Sequence, residues 1–212
     1  MITETWLDEG EENMFNLRDY KSFNSIRKQQ RGGGVAIYVR NVYSCKEVTT
    51  IQDTHEIQVV EIKMNNKTYN FVIIYNPNKP NAINMMESLS QVLESLGSSN
   101  IVLIGDLNID INEKSDLTDN YIDFIQSYGL ILNNKLPTRE ASDHGLKSLI
   151  DHVITSPNIT CNISNINDTI SDHNILLIEP NIITPKKEII LTKTKLNYVR
   201  ANERFQKNKF TV

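Results

Sequence analysis

The chain has 212 residues, enough for one domain with a single core, and its 39% apolar and 23% charged residues are those of an ordinary globular protein. No apolar run approaches the roughly 20 residues of a membrane span, and no basic stretch followed by an apolar one marks a secretory leader, which argues against a membrane protein and for a nuclear or cytoplasmic site. The net charge of −4 is unevenly spread: residues 181–212 hold eight Lys/Arg against two Asp/Glu, leaving 14 against 24 in residues 1–180, so contact with nucleic acid must rest on local groups, not on a bulk basic field.

In chain order, residues 34–39 read as a buried strand. Residues 56–64 and 68–75 are β-rich runs joined by Asn65-Asn66-Lys67, a hairpin signal. Ile83, Met86, Leu89, Leu93 and Leu96 recur at helical spacing between Pro80 and Gly97, with the glycine as helix stop. Residues 101–104 form a short apolar strand that runs into Gly105-Asp106, and residues 121–128 repeat the helical pattern before Gly129. Residues 149–154 and 175–178 add two strands, each beside polar residues that packing alone does not explain. The order gives a mixed α/β (α+β) domain over residues 1–180. Residues 181–212 are read as a basic linker or tail that is solvated, the other reading being that it lies along phosphates. Cys45 and Cys161 have no metal-like spacing and are read as reduced thiols without a role.

Five segments place carboxylates, amides and an imidazole at strand ends: Glu4-Thr5-Trp6-Leu7, Tyr75-Asn76-Pro77, Gly105-Asp106-Leu107-Asn108, Ser148-Leu149-Ile150-Asp151-His152 and Ser171-Asp172-His173. Phosphodiester hydrolysis needs a cation against developing charge, a base that orients water, and donors for the non-bridging oxygens, and this set offers each. Hard oxygen donors such as Glu4 and Asp172 suit Mg²⁺ better than zinc. Taken singly, Asp106-Leu107-Asn108 serves equally well as a turn, Ser171-Asp172-His173 as a polar loop, and Asp151 as a strand-end carboxylate. His152 alternates to the opposite strand face from Asp151 and is read as structural, His55 and His144 as solvated loop residues, and Trp6 as a core or rim aromatic. Gly32-Gly33-Gly34 lacks the Gly-Lys-Ser/Thr ending of a phosphate loop and is read as flexibility ahead of a strand.

Together and in this order, the five segments resemble the endonuclease/exonuclease/phosphatase superfamily over roughly residues 2–179. Arg31-Gly32-Gly33-Gly34-Val35-Ala36, Pro137-Thr138-Arg139 and the segment from Ser148 to His152 look most like the apurinic/apyrimidinic-type endonuclease domain of non-LTR (LINE-type) retrotransposons. The resemblance implies a DNase-I-like two-layer β-sandwich flanked by helices. It implies Mg²⁺ as cofactor, with Mn²⁺ able to substitute, DNA as substrate, and a reverse transcriptase domain in the same polyprotein. By the same resemblance Glu4 is the metal carboxylate, Asp172 assists the metal or leaving group, and Asp106 orients or deprotonates the attacking water. Asn108 donates to a phosphate oxygen, Tyr75 lends its hydroxyl to the phosphate region, and His173 contacts the scissile phosphate with Asp151 fixing its ring. Thr138 and Ser148 lie where the retrotransposon group meets the DNA backbone.

The family begins with a strand bearing an Asn well ahead of its Glu-Thr-Trp-Leu segment, whereas Met1 here stands three residues before Glu4. The expectation is a domain without its first strand and first helix. Three functions compete: an endonuclease whose nick leaves a 3′-hydroxyl for target-primed reverse transcription, a phosphatase acting on a small phosphoester, and a catalytically dead fragment.

Overall fold

The computed structural model describes residues 1–11, 14–27, 32–97, 99–140, 146–167 and 171–182. Arg31, His144 and nearly all of the basic tail lie outside the described residues.

Three strands open the chain: β1 (Ile2–Thr3), β2 (Tyr20–Ser25) and β3 (Val35–Arg40), in the order β1-β3-β2 and antiparallel throughout. A six-stranded sheet follows, built from β4 (Ser44–Gln52), β5 (Glu56–Met64), β6 (Lys67–Tyr75), β7 (Asn100–Asp106), β8 (Ile131–Leu132) and β11 (Asp151–Thr155), in the order β4-β5-β6-β7-β11-β8. Between β8 and β11 lies a small ribbon of β9 (Arg139–Glu140) and β10 (Lys147–Ser148); β12 (Cys161–Ile166) and β13 (Ile175–Pro180) form a closing hairpin.

The β5–β6 turn is the two-residue type that strand twist favours, because Asn65 and Asn66 both take the left-handed backbone (φ 53° and 60°) and Met64 faces Lys67. From there the register is fixed over nine residue pairs. Only β6 and β7 run parallel, joined by α1 (Ala82–Leu96). α1 buries Ala82, Met85, Leu89, Val92 and Leu93, and its stripe is turned from the sequence expectation, since Ile83 is 61% exposed while Met85 and Val92 point inward. α2 (Asp116–Ser127) starts at Ser115, whose hydroxyl caps the Thr118 amide, and carries Asp116 and Asp119 in its first turn, where the helix dipole favours them.

Alternation sorts the large sheet into two faces. Ile57, Val59, Val72, Ile74, Leu103 and Ile154 pack under the helices; Val60, Ile62, Ile73 and Tyr75 face Phe23, Val35, Ile37 and Val39 of the three-stranded sheet. The result is the expected sandwich with helices outside it. A side chain at Gly105 would place its Cβ 1.9 Å from the Ile74 carbonyl oxygen, so only glycine lets β7 lie this close to β6 just before Asp106.

Seven strands depart from the sequence reading: the two-residue β1, β8, β9 and β10, and three longer ones. β2, β4 and β12 were not expected as strands; they are polar, and β4 and β12 are edge strands with at best half-buried alternate residues. His55, expected in solvent, is fully buried, because a tight turn in which the Asp53 amide meets the His55 carbonyl (3.0 Å) draws it inward ahead of β5. Burial lowers the pKa of its ring.

Candidate active site

The large sheet builds the site by register. Glu56 of β5 stands opposite Tyr75 of β6, Tyr75 opposite Asp106 of β7, and Asp106 opposite Asp151 of β11. Residues paired across neighbouring strands project to the same face, so these four polar groups form one row at one end of the sandwich interior. Two further groups arrive from the other layer. Glu4, just past β1, accepts a 2.6 Å hydrogen bond from the Tyr75 hydroxyl, and His173, just before β13, meets the Asp151 carboxylate through Nδ1 at 2.9 Å. Glu4, Asp106, Asn108, Asp151, Asp172 and His173 all line one cleft of about 880 Å³.

Asp106 is almost fully buried, and burial, reinforced by the negative charge of Asp151, pushes its pKa up to about 7 against the opposing pull of His173 and the Asn108 amide. It is therefore poised near neutrality to hold or release a proton. The His173 pKa is raised above the ordinary imidazole value by its hydrogen bond to Asp151, against a smaller effect of burial. Burial and the bond to Glu4 raise the Tyr75 hydroxyl, which stays a donor. Asn108 sits in the left-handed region (φ 51°), tolerable for Asn, with its amide on the Asn76 carbonyl at 2.8 Å.

The remaining sequence candidates fall elsewhere. Asp172 lines the cleft, but its carboxylate pairs with Arg139 at 2.7 Å, which lowers its pKa. Thr138 is fully buried; its hydroxyl accepts from the amides of Asp151 (3.0 Å) and Ile150 (3.3 Å), and so braces the start of β11 behind the site. Ser148 is half-buried, and its carbonyl accepts from the Thr138 amide at 2.8 Å. His152 points under the helices, held by the Tyr121 hydroxyl (2.8 Å) and the Ile109 carbonyl (3.0 Å). Sequence reasoning missed Glu56, which binds Arg27, and Arg139, which binds Asp172. Counting back from the Asn65-Asn66 turn would have set Glu56 opposite Tyr75; Arg139 lay within the Pro137-Thr138-Arg139 segment, but nothing local to it pointed to Asp172 as its partner.

The ligand atoms of Asp106, Asp151 and His173 lie within 4.8 Å of one another, the one group of three or more such residues among the described residues. Two carboxylates in a half-buried cleft fit a hard divalent cation that keeps part of its water, with Glu4 on the same cleft wall. A cation there would draw Asp106 back to its ionised form.

No curated protein matches the sequence. Among solved structures, the chain is similar to the endonuclease domain of TRAS1, a telomere-specific non-LTR retrotransposon, with 18% identity, TM-score 0.66, and 78% of this chain and 82% of that one covered. It is similar to the mannosyl-6-phosphatase Bt3783 of Bacteroides thetaiotaomicron, with 15% identity, TM-score 0.60, and 85% and 84% covered. It is also similar to the human Nocturnin catalytic domain, with 12% identity, TM-score 0.58, and 84% and 78% covered. These likenesses show the shared fold. The family described as endonuclease-reverse transcriptase matches residues 69–177, just over half of the chain and the stretch from Tyr75 through His173. The chain thus belongs to that endonuclease-reverse transcriptase family.

Proposed function

We propose that the protein is a divalent-cation-dependent DNA endonuclease that hydrolyses one strand of a target duplex and leaves a 3′-hydroxyl from which a reverse transcriptase can copy. The observation that supports this best is Asp106, buried beside an Asp151–His173 pair in an open cleft, the three grouped closely enough to share a cation. In this reading Asp106 orients and takes the proton of the attacking water. His173, held through Nδ1 by Asp151, presents its other ring nitrogen to the scissile phosphate. Asn108 is the donor at the cleft wall, while Tyr75, buried behind it, commits its one hydroxyl proton to Glu4 and steadies that carboxylate. Mg²⁺ or Mn²⁺ held by the carboxylates would offset the charge that develops on phosphate. Thr138 and Ser148 act through the placement of β11, and Asp172 through its pair with Arg139.

The test is nicking of supercoiled plasmid with Mg²⁺ or Mn²⁺, beside hydrolysis of a sugar phosphate. Nicking that stops on chelation is expected. Undiminished nicking in excess chelator overturns the cation dependence, and sugar-phosphate turnover without nicking overturns the DNA substrate.

A further inference from the structure

The strongest unexplained feature at the cleft is Trp6. It is the only tryptophan of the chain, and it is 58% exposed, although an indole is among the side chains that gain most from burial. The fold does not merely leave it outside; it fixes it there. The Trp6 amide donates to the Gly33 carbonyl at 2.9 Å, and the neighbouring Thr5 amide to the Gly34 carbonyl at 3.2 Å. A Cβ at Gly32 would lie 3.2 Å from Cζ2 of the ring, so the indole rests on that backbone with no side chain beneath it. Both Glu4 (φ 53°) and Trp6 (φ 54°) take the left-handed backbone, a costly conformation for residues other than Gly, Asn or Asp. Indole Nε1 points at Glu4 Oε2, 3.4 Å away, while the other Glu4 oxygen holds Tyr75. The glycine run therefore serves as a seat for an aromatic ring beside Glu4 of the cleft wall.

We infer that Trp6 is a stacking platform for a nucleobase next to the phosphate being cut. The inference rests on the DNA reading above and adds a binding residue to it. A phosphodiester held at the Glu4 end of the cleft brings an adjoining nucleotide over the indole, since the ring edge touches that carboxylate. A base turned out of the duplex stack offers its π face whatever its identity, and a ring with few rotatable bonds loses little freedom on contact. The charge distribution makes such a contact useful. Residues 1–180 carry 14 Lys/Arg against 24 Asp/Glu, so phosphate neutralisation contributes little to affinity, and an uncharged contact that salt does not screen supplies what the field withholds.

The sole tryptophan is its own reporter. The full chain in chelator, so that nothing is cut, is titrated with a fluorescein-labelled duplex oligonucleotide. Anisotropy of the label and tryptophan emission are read together. Emission is expected to be quenched along the same curve as the anisotropy rise, and to be quenched far less by an oligonucleotide with abasic sites across the contact. Trp6→Ala should weaken binding by about 5- to 100-fold, the range for losing one base–aromatic stack, by the same factor at low and high salt. Trp6→Phe should keep most of the affinity, which separates the ring from the indole N–H on Glu4. Anisotropy without quenching, with Trp6→Ala binding as tightly as the parent, overturns the stacking role and leaves the DNA reading standing. No anisotropy change with any oligonucleotide, either in chelator or with Mg²⁺ present, overturns the DNA reading, and the stacking role with it.

Discussion

The link between Asp151 and His173 decides how the site responds to substitution. His173→Ala should lower plasmid nicking about a hundredfold or more, the scale of losing one transition-state donor. Its effect on folding should be modest, because the half-buried ring lines a solvent-open cleft and packs in no apolar core cluster. Asp151→Asn should cost less, and the double variant should be no slower than His173→Ala, since the 2.9 Å bond makes Asp151 act through the ring. Losses that multiply in the nicking assay would give Asp151 a separate role. Asp106, Asp151 and His173 could be picked from the sequence because each adjoins a strand that packing alone would end differently. Thr138 and His55 could not be placed in the same way. Whether a short polar side chain faces a cleft or braces a strand from behind depends on which backbone amides lie across from it, and for Thr138 those amides belong to a strand twelve residues further on.

At the scale of the element, β11 turns Asp151 to the cleft on one face and His152 to the helices on the other. His152 lies under the helices with its pKa lowered to about 4 by burial, against an ordinary 6.5. Its neutral ring stabilises the fold in full above pH 6.5, and this contribution is lost as pH falls toward about 4, because the unfolded chain then takes up a proton the native ring refuses. At about 1.4 kcal/mol per pH unit of separation the loss amounts to a few kcal/mol. Asp106 has the opposite sign, its raised pKa favouring the fold as pH falls, as does the raised pKa of His173. The comparison that isolates His152 is therefore urea unfolding of the parent beside His152→Gln between about pH 7 and about pH 4.5. The variant should be less stable at the neutral end and should lose less on acidification; parallel curves would show that His152 is not the group responsible. Elements with a strong turn or an unbroken apolar run were legible: the β5–β6 hairpin, β7 and both helices. β4 and β12 escaped notice because an edge strand needs only one weakly apolar face, and Ser, Thr, Asn and Lys satisfy it.

For the whole molecule, the layer facing the large sheet comes in two pieces. β1 pairs only with β3, and β13 only with β12, among the described residues. Both border the cleft, with Ile2 at 50% and Ile175 and Leu177 at 49% exposure. Unpaired strand edges beside exposed apolar side chains invite pairing with another chain. Light scattering should show association that rises with concentration and recedes in Leu177→Lys, which puts a charge at that edge; a monodisperse parent would remove this expectation. The row Glu56, Tyr75, Asp106 and Asp151 has a consequence of another kind. These residues face the sandwich interior, and Asp106 and Asp151 the cleft, by the same odd-or-even count along each strand that keeps Leu103 and Ile154 beneath the helices. Loss or gain of a single codon inside β7 would reverse that count, sending the carboxylate toward the helices and a leucine toward the cleft. The chain can thus exchange side chains at the site one by one, while its reading length between strand start and carboxylate admits change only in twos.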